Sequence, residues 1–402
     1  DLAEDRERFK NLLSEENFKQ AESGIAKSKD EAVKITRSLG FPVIIRPSYV
    51  LGGRAMKIVH NGQQLNKYID EAVKVSGSTP LLIDKFLNSA VEVDVDAISD
   101  GKKVFVAGIM EHIEEAGVHS GDSACSVPPY SLKKKIIDEI ESQTTRLALA
   151  LNIVGLINIQ FAIKNDEIYV LEVNPRASRT VPFISKAIGI PVAKIAARIM
   201  AGEKIEDFNL KKRNTNIFAI KEAVFPFNKF PGVDILLGPE MKSTGEVMGL
   251  DKDFGLAYAK SQIAAGNSLP TRGLAFISLQ DKHKNEGINL AKKLVELNFT
   301  LCGTEGTADA IKKNGIKCKK VNKVSGGSPH IVDILNSKKI ALVINTGGGK
   351  RTFAVQDSID LRRATLINKI PYCTTVAAAS ACIQAIDSLK NKKMKVKAIQ
   401  EL

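Results

Sequence analysis

The stretch Ile157-Asn158-Ile159-Gln160-Phe161-Ala162-Ile163, a turn at Lys164-Asn165-Asp166-Glu167, and Ile168-Tyr169-Val170-Leu171-Glu172-Val173-Asn174-Pro175-Arg176 form two alternating apolar runs around a short polar break. This pattern reads as a β-hairpin. If Asn165, Asp166 and Glu167 make a three-residue loop, Gln160 lies opposite Glu172 and both leave one face, with Asn174 two residues further on. A two-residue loop would send Gln160 and Glu172 to opposite faces. One carboxylate and two amide oxygens converging is hard-ligand chemistry, suited to Mg2+ that also binds phosphate oxygens. Arg176 and Arg179 stand close enough in sequence to meet the same phosphates. A polar strand face turned to water is the plainer alternative.

Working outward, Val43-Ile44-Ile45 reads as a strand that leads into Arg46-Pro47-Ser48-Tyr49-Val50-Leu51-Gly52-Gly53-Arg54-Ala55-Met56, after which a second strand begins. Glycine loops that bind phosphate at a helix N-terminus run from strand to helix, so that geometry does not fit here. A strand-loop-strand flap over polyphosphate and an ordinary hairpin loop both remain open. In Val91-Glu92-Val93-Asp94-Val95-Asp96, alternation puts the three acids on one face, and a solvated acidic edge is expected for Asp94 and Asp96. The run from Glu111 to Ser123 packs polar groups around Gly117 and Gly121 without an amphipathic period, the composition of a loop lining a site.

Periodicity predicts helices at 2–13, 29–39, 62–75, 132–151 and 182–201, and strands at 43–45, 81–84, 91–98, 103–109, 157–163 and 168–173, a mixed α+β unit. From about residue 270 the pattern becomes regular alternation, with strands at 274–279, 299–302, 316–321, 340–345 and 370–374 between helices. That alternation predicts a parallel sheet covered on both faces. The organisation read from the chain is thus a module over 1–202, a proline-broken connecting segment over 203–268, and an α/β domain over 269–402.

Charge follows the same division. The 402 residues carry 58 Lys+Arg against 45 Asp+Glu, and the whole net charge of +13 falls after residue 270, where 23 basic side chains face 10 acidic ones. Such a basic unit suggests an anionic partner, whether nucleic acid, a membrane surface or a small phosphate compound, or simply a lysine-rich solvated surface. Aromatic residues make up 5% and tryptophan is absent, which argues against a base-stacking surface. The five cysteines show no Cys-x-x-Cys pair, so reduced thiols and a cytoplasmic location are expected. No apolar run is long enough for a membrane span. The start Asp-Leu-Ala-Glu-Asp-Arg lacks both an initiating Met and a signal pattern, so the chain is expected to begin inside a longer protein.

Four strings carry a resemblance that covers nearly the whole chain: 46–56; Glu-Ala-Gly-Val-His-Ser-Gly-Asp-Ser-Ala at 115–124; Leu-Glu-Val-Asn-Pro-Arg-Ala-Ser-Arg-Thr at 171–180; and Pro-Phe-Asn-Lys-Phe-Pro-Gly-Val-Asp at 226–234. They resemble the second ATP-grasp module of the carbamoyl-phosphate synthase large subunit. The resemblance implies an α+β ATP-grasp fold followed by an α/β methylglyoxal-synthase-like regulatory domain, and phosphorylation of carbamate by ATP with Mg2+ or Mn2+, and K+, as cofactors. It implies that Arg46 contacts phosphate, that Gly52 and Gly53 form the flap, and that Leu87 and Glu92 take the adenine and ribose positions. Lys85 stands where some relatives carry histidine, and Gly117, Val118, His119 and Ser120 resemble the segment lining the nucleotide. Gln160, Glu172 and Asn174 match the metal ligands, and Arg176 the arginine facing the transferred phosphoryl group.

The implied partners are the N-terminal half of the large subunit, the glutaminase small subunit and a nucleotide monophosphate effector, with neither nucleic acid nor membrane. By the resemblance, the ammonia-dependent first half and the small domain that normally precedes the module are expected outside this stretch of sequence. In the basic unit, Thr304-Glu305-Gly306-Thr307 opens a helix and offers hydroxyls and free N–H groups to an anion. Lys284 and Lys323 match basic residues of the family's effector pocket, and Asn345 to Lys350 follow a strand at its C-terminal end, where open α/β sheets bind ligands, with Gly347 standing where relatives often carry a hydroxyl residue. Glu114, Asp122 and Glu222 match the acids of the family's ornithine site, while 370–375 lacks a polar pair that some relatives use there. Another ATP-grasp carboxylate ligase, a non-catalytic fragment that keeps effector binding, and a nucleic-acid-binding protein are the competing readings.

Overall fold

A computed structural model describes residues 2–3, 5–47, 56–76, 80–211, 216–227, 235–346 and 352–401, so the flap glycines Gly52 and Gly53, the string at 228–234 and Gly347 lie outside the described residues. The chain divides into two compact units, Asp1–Asn216 with Leu237–Lys242, and Ile217–Leu236 with Ser243–Leu402.

The first unit begins with α1 (Arg6–Glu15), β1 (Lys19–Gln20), β2 (Ser23–Ala26), α2 (Lys29–Leu39), β3 (Val43–Pro47), β4 (Lys57–Val59), α3 (Gly62–Ser76) and β5 (Leu81–Lys85). Ser28 starts α2 as an N-cap, its hydroxyl accepting the Glu31 N–H at 3.2 Å. Four of these strands form an antiparallel sheet in the order β2-β5-β3-β4, and Ala32, Val43, Ile45, Leu65, Ile69 and Ile83 bury its core. The glycine loop therefore joins two paired strands, Val43 opposite Val59, as a strand-loop-strand element must.

There follow β6 (Val91–Asp100), β7 (Val104–His112), β8 (Cys125–Val127), α4 (Lys134–Ala150), β9 (Val154–Lys164), β10 (Glu167–Asn174), α5 (Val181–Ile188) and α6 (Val192–Met200). Here the strands run in the order β1-β10-β9-β6-β7-β8. The odd-numbered Val93, Val95, Ile157, Ile159 and Phe161 pack on Ile136, Ile140 and Leu147 of α4 and on Phe9 and Leu13 of α1. That dry face leaves the even-numbered residues of β6 and β9 on the other side. The single helix expected over 182–201 is instead two, because Gly189 turns left-handed at φ 72° and Pro191 opens the next helix.

The second unit contains β11 (Phe218–Val224), β12 (Gly245–Asp251), α7 (Phe254–Ala264), β13 (Gly273–Ser278), α8 (Lys284–Glu296), β14 (Phe299–Thr304), α9 (Glu305–Lys313), β15 (Lys319–Val321), α10 (Ile331–Asn336), β16 (Ile340–Asn345), α11 (Thr352–Ile367), β17 (Tyr372–Cys373) and α12 (Val376–Asn391). The segment without a readable period thus forms a hairpin, β11 against β12, and a helix. The parallel sheet has the order β15-β14-β13-β16-β17. Helix α7 meets α12 closely: a Cβ on Gly255 would lie 2.5 Å from the Gln384 carbonyl. Asp253 caps α7 and accepts the Ser388 hydroxyl at 2.5 Å, tying the same two helices. Among the described residues no helix is long and apolar enough to cross a membrane.

Candidate active site

The hairpin reaches its expected pairing by an unexpected route. Lys164 pairs with Glu167, so the loop has two residues, Asn165 and Asp166, both at positive φ (54° and 62°), and not three. Two residues alone would put Glu172 opposite Ile159, in the dry core. A bulge between Val170 and Glu172 inserts Leu171 and shifts the register by one, so Glu172 pairs with Gln160 and Asn174 with Asn158.

Because β6 pairs with β9 on one side and β7 on the other, Asp94 lies opposite Gln160 and Asp96 opposite Asn158. Two cross-strand rows result, Asp94–Gln160–Glu172 and Asp96–Asn158–Asn174. The solvated edge expected for Asp94 and Asp96 is overturned: they are 2% and 1% exposed, since β6 is an interior strand. Asn158 donates to both, at 3.3 Å to Asp94 and 3.0 Å to Asp96. Burial pushes the Asp96 carboxyl up to about 6 despite the hydrogen bonds it accepts from Thr180, Ser178 and Asn158. Sequence reasoning also passed over His112 and Asn158. The signal for Asn158 was its position two residues before Gln160, on the same strand face.

Next to these rows Glu92 accepts the Gly117 N–H at 2.9 Å, and burial raises its carboxyl. His112 lies between Glu92, 3.6 Å from Nδ1, and Asp94, 2.8 Å from Nε2. Burial opposes its charge, but Cys125 and Asp94 outweigh that and hold the imidazole well above its ordinary value. Gly117 has φ +93°, and a Cβ there would lie 2.8 Å from Ile58 of β4 and 2.9 Å from Phe86, so the 111–123 loop packs against the flap hairpin. The Gln160 amide donates to the Ser120 hydroxyl at 3.4 Å, Asn174 to Glu172 at 2.9 Å, and Arg176 to the Asn174 amide oxygen at 3.2 Å. Ser120, Gln160, Glu172, Asn174 and Arg176 are thereby brought together.

His119 accepts the Gly121 N–H on Nδ1 at 3.0 Å, and burial lowers its pKa, which keeps that nitrogen an acceptor. Arg46 sits on β3 with its Nε buried and without a hydrogen-bond partner among the described residues. Lys85 is placed elsewhere: its ammonium donates to the Leu39 and Gly40 carbonyls at 2.8 and 2.9 Å, closing the C-terminus of α2. Leu87 is half-buried in the turn after β5, and Val118 is half-buried beside Gly117. Glu114 and Asp122 belong to the first unit, where Asp122 accepts the Lys242 N–H at 2.8 Å, and Glu222 to the second.

In the second unit the C-terminal ends of three parallel strands bring Ser278, Thr304 and Asn345 together, Ser278 directly opposite Asn345. Thr304 and Thr307 hydroxyls are 3.3 Å apart at the start of α9, and Thr307 accepts the Leu279 N–H at 3.0 Å. Lys284 pairs with Asp281 at 2.7 Å, and Lys284 and Lys323 together hold that carboxyl below its usual value. Asn345 donates to the Tyr372 hydroxyl at 3.3 Å.

Comparison with known proteins fits both units. Residues 5–208 match the carbamoyl-phosphate synthase L chain, ATP binding domain, and residues 286–374 match an MGS-like domain. A carbamoyl phosphate synthase large chain from Archaeoglobus fulgidus is 55% identical over the whole of this chain, which spans 37% of that relative. A carbamoyl phosphate synthase large chain, C-terminal section, from Aquifex aeolicus is 50% identical, again over the whole chain and over 79% of its own length. The biotin carboxylase domain of Hydrogenobacter thermophilus 2-oxoglutarate carboxylase, solved with Mg-ADP and bicarbonate, shares the fold at TM-score 0.53 and 19% identity over 65% of each chain. Whole-length identity at this level, together with a polar sheet face that the matched domain spans, places this chain in the carbamoyl-phosphate synthase large-chain family, as its C-terminal portion.

Proposed function

We propose that this chain transfers the γ-phosphoryl group of ATP to carbamate, forming carbamoyl phosphate and ADP as the last step of a synthesis that begins on another part of the full-length protein. The observation that carries the reading is the bulged hairpin, which sets Gln160, Glu172 and Asn174 side by side with Arg176 at the strand end. A carbamate oxygen attacks the γ-phosphorus while ADP leaves, so the protein has little covalent chemistry to perform and acts by positioning and charge neutralisation. Arg46, whose buried Nε lacks a partner among the described residues, and Arg176 are suited to the phosphate oxygens. Glu92, Leu87, the 117–120 segment and, outside the described residues, Gly52 and Gly53 would enclose the nucleotide; Lys85 would contribute through the end of α2.

The donor set fits a hard divalent cation. Among the described residues no three His, Cys, Asp or Glu side chains are arranged to hold a metal by themselves, so Mg2+ or Mn2+ would draw on the Gln160 and Asn174 amide oxygens with Glu172 and on phosphate oxygens. When bound, such an ion neutralises charge on the β- and γ-phosphates; K+ is a further proposed cation. Thr304, Thr307, Lys284, Lys323 and Asn345 would hold a nucleotide monophosphate effector at the strand ends, where open α/β sheets bind ligands. The proposed partners are the N-terminal half and a glutaminase subunit, in the cytoplasm.

The test is the reverse half-reaction, ATP formation from ADP and carbamoyl phosphate with Mg2+, for this chain and for Glu172→Gln. Turnover that the substitution abolishes supports the assignment. A folded chain with neither turnover nor Mg-ADP binding by calorimetry refutes it.

A further inference from the structure

We propose that Asp96 is a positioning residue: its buried carboxylate clamps the loop from Pro175 to Thr180 and so fixes Arg176, an inference that rests on the reaction proposed above. Three side chains donate to this one carboxylate. Ser178 reaches Oδ1 at 2.7 Å and Thr180 reaches Oδ2 at 2.6 Å, while the Asn158 amide reaches Oδ1 at 3.0 Å. Ser178 follows Arg176 by two residues, and Thr180 immediately precedes α5, so the clamp grips the loop at its middle and its far end.

Among the described residues the loop's other side-chain ties include the Arg179 guanidinium donating to the Met241 sulfur and the Ser178 and Thr180 hydroxyls bonding each other at 2.7 Å. Among the described residues the exposed Arg176 side chain donates to the Asn174 amide oxygen and the Ala177 carbonyl, each at 3.2 Å, and the Arg176 N–H donates to the Asn174 carbonyl at 2.8 Å ahead of the helix. The clamp itself is shielded from water, with Asp96 1% and Thr180 6% exposed. Hydrogen bonds to an ionised, desolvated acceptor are stronger than neutral ones. The neighbouring strand also makes room, since a Cβ on Gly108 would lie 2.4 Å from the Ile184 side chain, so α5 is seated directly on β7 beside the clamp. Asp96 is also coupled to the proposed ligand row, because Asn158 bridges it toward Asn174 at 3.5 Å.

The experiment compares Asp96→Asn, Thr180→Val and Thr180→Ser by hydrogen exchange and by the reverse half-reaction on the full chain. The expected result is exchange over 176–184 at least about tenfold faster in Asp96→Asn and Thr180→Val, with β6 and β9 unchanged, and kcat at least about tenfold lower while Mg-ADP affinity stays within about twofold. Thr180→Ser, which keeps the hydroxyl, restores both. Unchanged exchange in the first two variants overturns the clamp, and faster exchange with wild-type kcat overturns its service to the reaction. If Asp96→Asn does not fold, the Thr180 pair decides. If the folded wild-type chain gives neither turnover nor Mg-ADP binding, the proposed reaction fails, and the exchange rates alone still decide whether Asp96 holds the loop.

Discussion

The polar face of the first unit and the strand ends of the second use charge in opposite ways. Asp94, Asp96 and His112 are buried and hydrogen-bonded, Asp94 with His112 and Asp96 with Asn158, whereas Lys284 pairs with an Asp281 side chain that is 96% exposed. Lys320 likewise pairs with Asp309 at the surface. The buried polar atoms of the second site are neutral: the Thr304 and Thr307 hydroxyls and the Asn345 amide. Desolvated charges are costly to keep, and they stay where they are put because leaving one unpaired costs more. Such a face suits one fixed transfer reaction. Neutral donors ringed by solvated cations suit a ligand that must come and go.

The strongest challenge to this contrast is turnover. Glu172→Gln should lower ATP formation from ADP and carbamoyl phosphate by roughly 100-fold or more, whereas Thr307→Val, in the other unit, should leave the effector-free rate within about twofold. Equal losses would erase the distinction. Next in size is stability. Gly255→Ala should cost about 1 to 3 kcal/mol in denaturant titration, because the new methyl meets a backbone carbonyl that cannot turn aside. Gly108→Ala should cost less than about 1 kcal/mol, because it meets the tip of the Ile184 side chain, which can.

A smaller effect concerns Asp100, whose carboxylate accepts the Lys102, Lys103 and Ile205 N–H groups at 2.9, 2.7 and 2.9 Å. Burial works against its charge, but these bonds win and lower the carboxyl to about 2, from an ordinary value of 3.8. A depressed folded pKa contributes stability that is complete above the ordinary value and is lost as pH falls from about 4 to about 2. Asp100→Asn should therefore cost about 1 to 2 kcal/mol at pH 7, and the gap should close on acidification through that window. A gap that stayed constant with pH would mean that the carboxylate's charge is not what stabilises. Smallest of all, Lys284→Ala should change stability by less than about 1 kcal/mol, since its ion pair is solvated, yet weaken binding of a nucleotide monophosphate in a titration.

Much of this was readable from local pattern. Helix 29–39 and strand 340–345 follow from amphipathic and apolar periods, with Ser28 as a cap, and both occur at those bounds. The pairing of Gln160 with Glu172 was readable as a possibility, but the turn and the bulge that produce it were not. Each differs from expectation by one residue, and nothing in Val170-Leu171-Glu172 marks an insertion. Burial of Asp94 and Asp96 was hidden for another reason: alternation tells which face a residue takes, while only the neighbouring strands decide whether that face is wet. The hairpin and helix after residue 216 escaped because local breakers at Pro226, Pro231 and Pro239 interrupt the period, although the two strands pair over seven residues on either side.

The bulge at Leu171 makes the site depend on parity. Every residue of β10 beyond it has been moved by one step relative to β9, so the side chains that face the polar rows are those the turn alone would have buried. Deleting Leu171 would take out the extra residue and leave Glu172 directly after Val170, opposite Gln160 in an unbulged ladder, so the polar row would survive the deletion. Straightening the ladder while keeping Leu171 would instead set Leu171 opposite Gln160 and Glu172 opposite Ile159, in the dry core. In this hairpin the way one extra residue is accommodated therefore decides which side chains face the polar rows, so the bulge is as much a part of the site as its carboxylate.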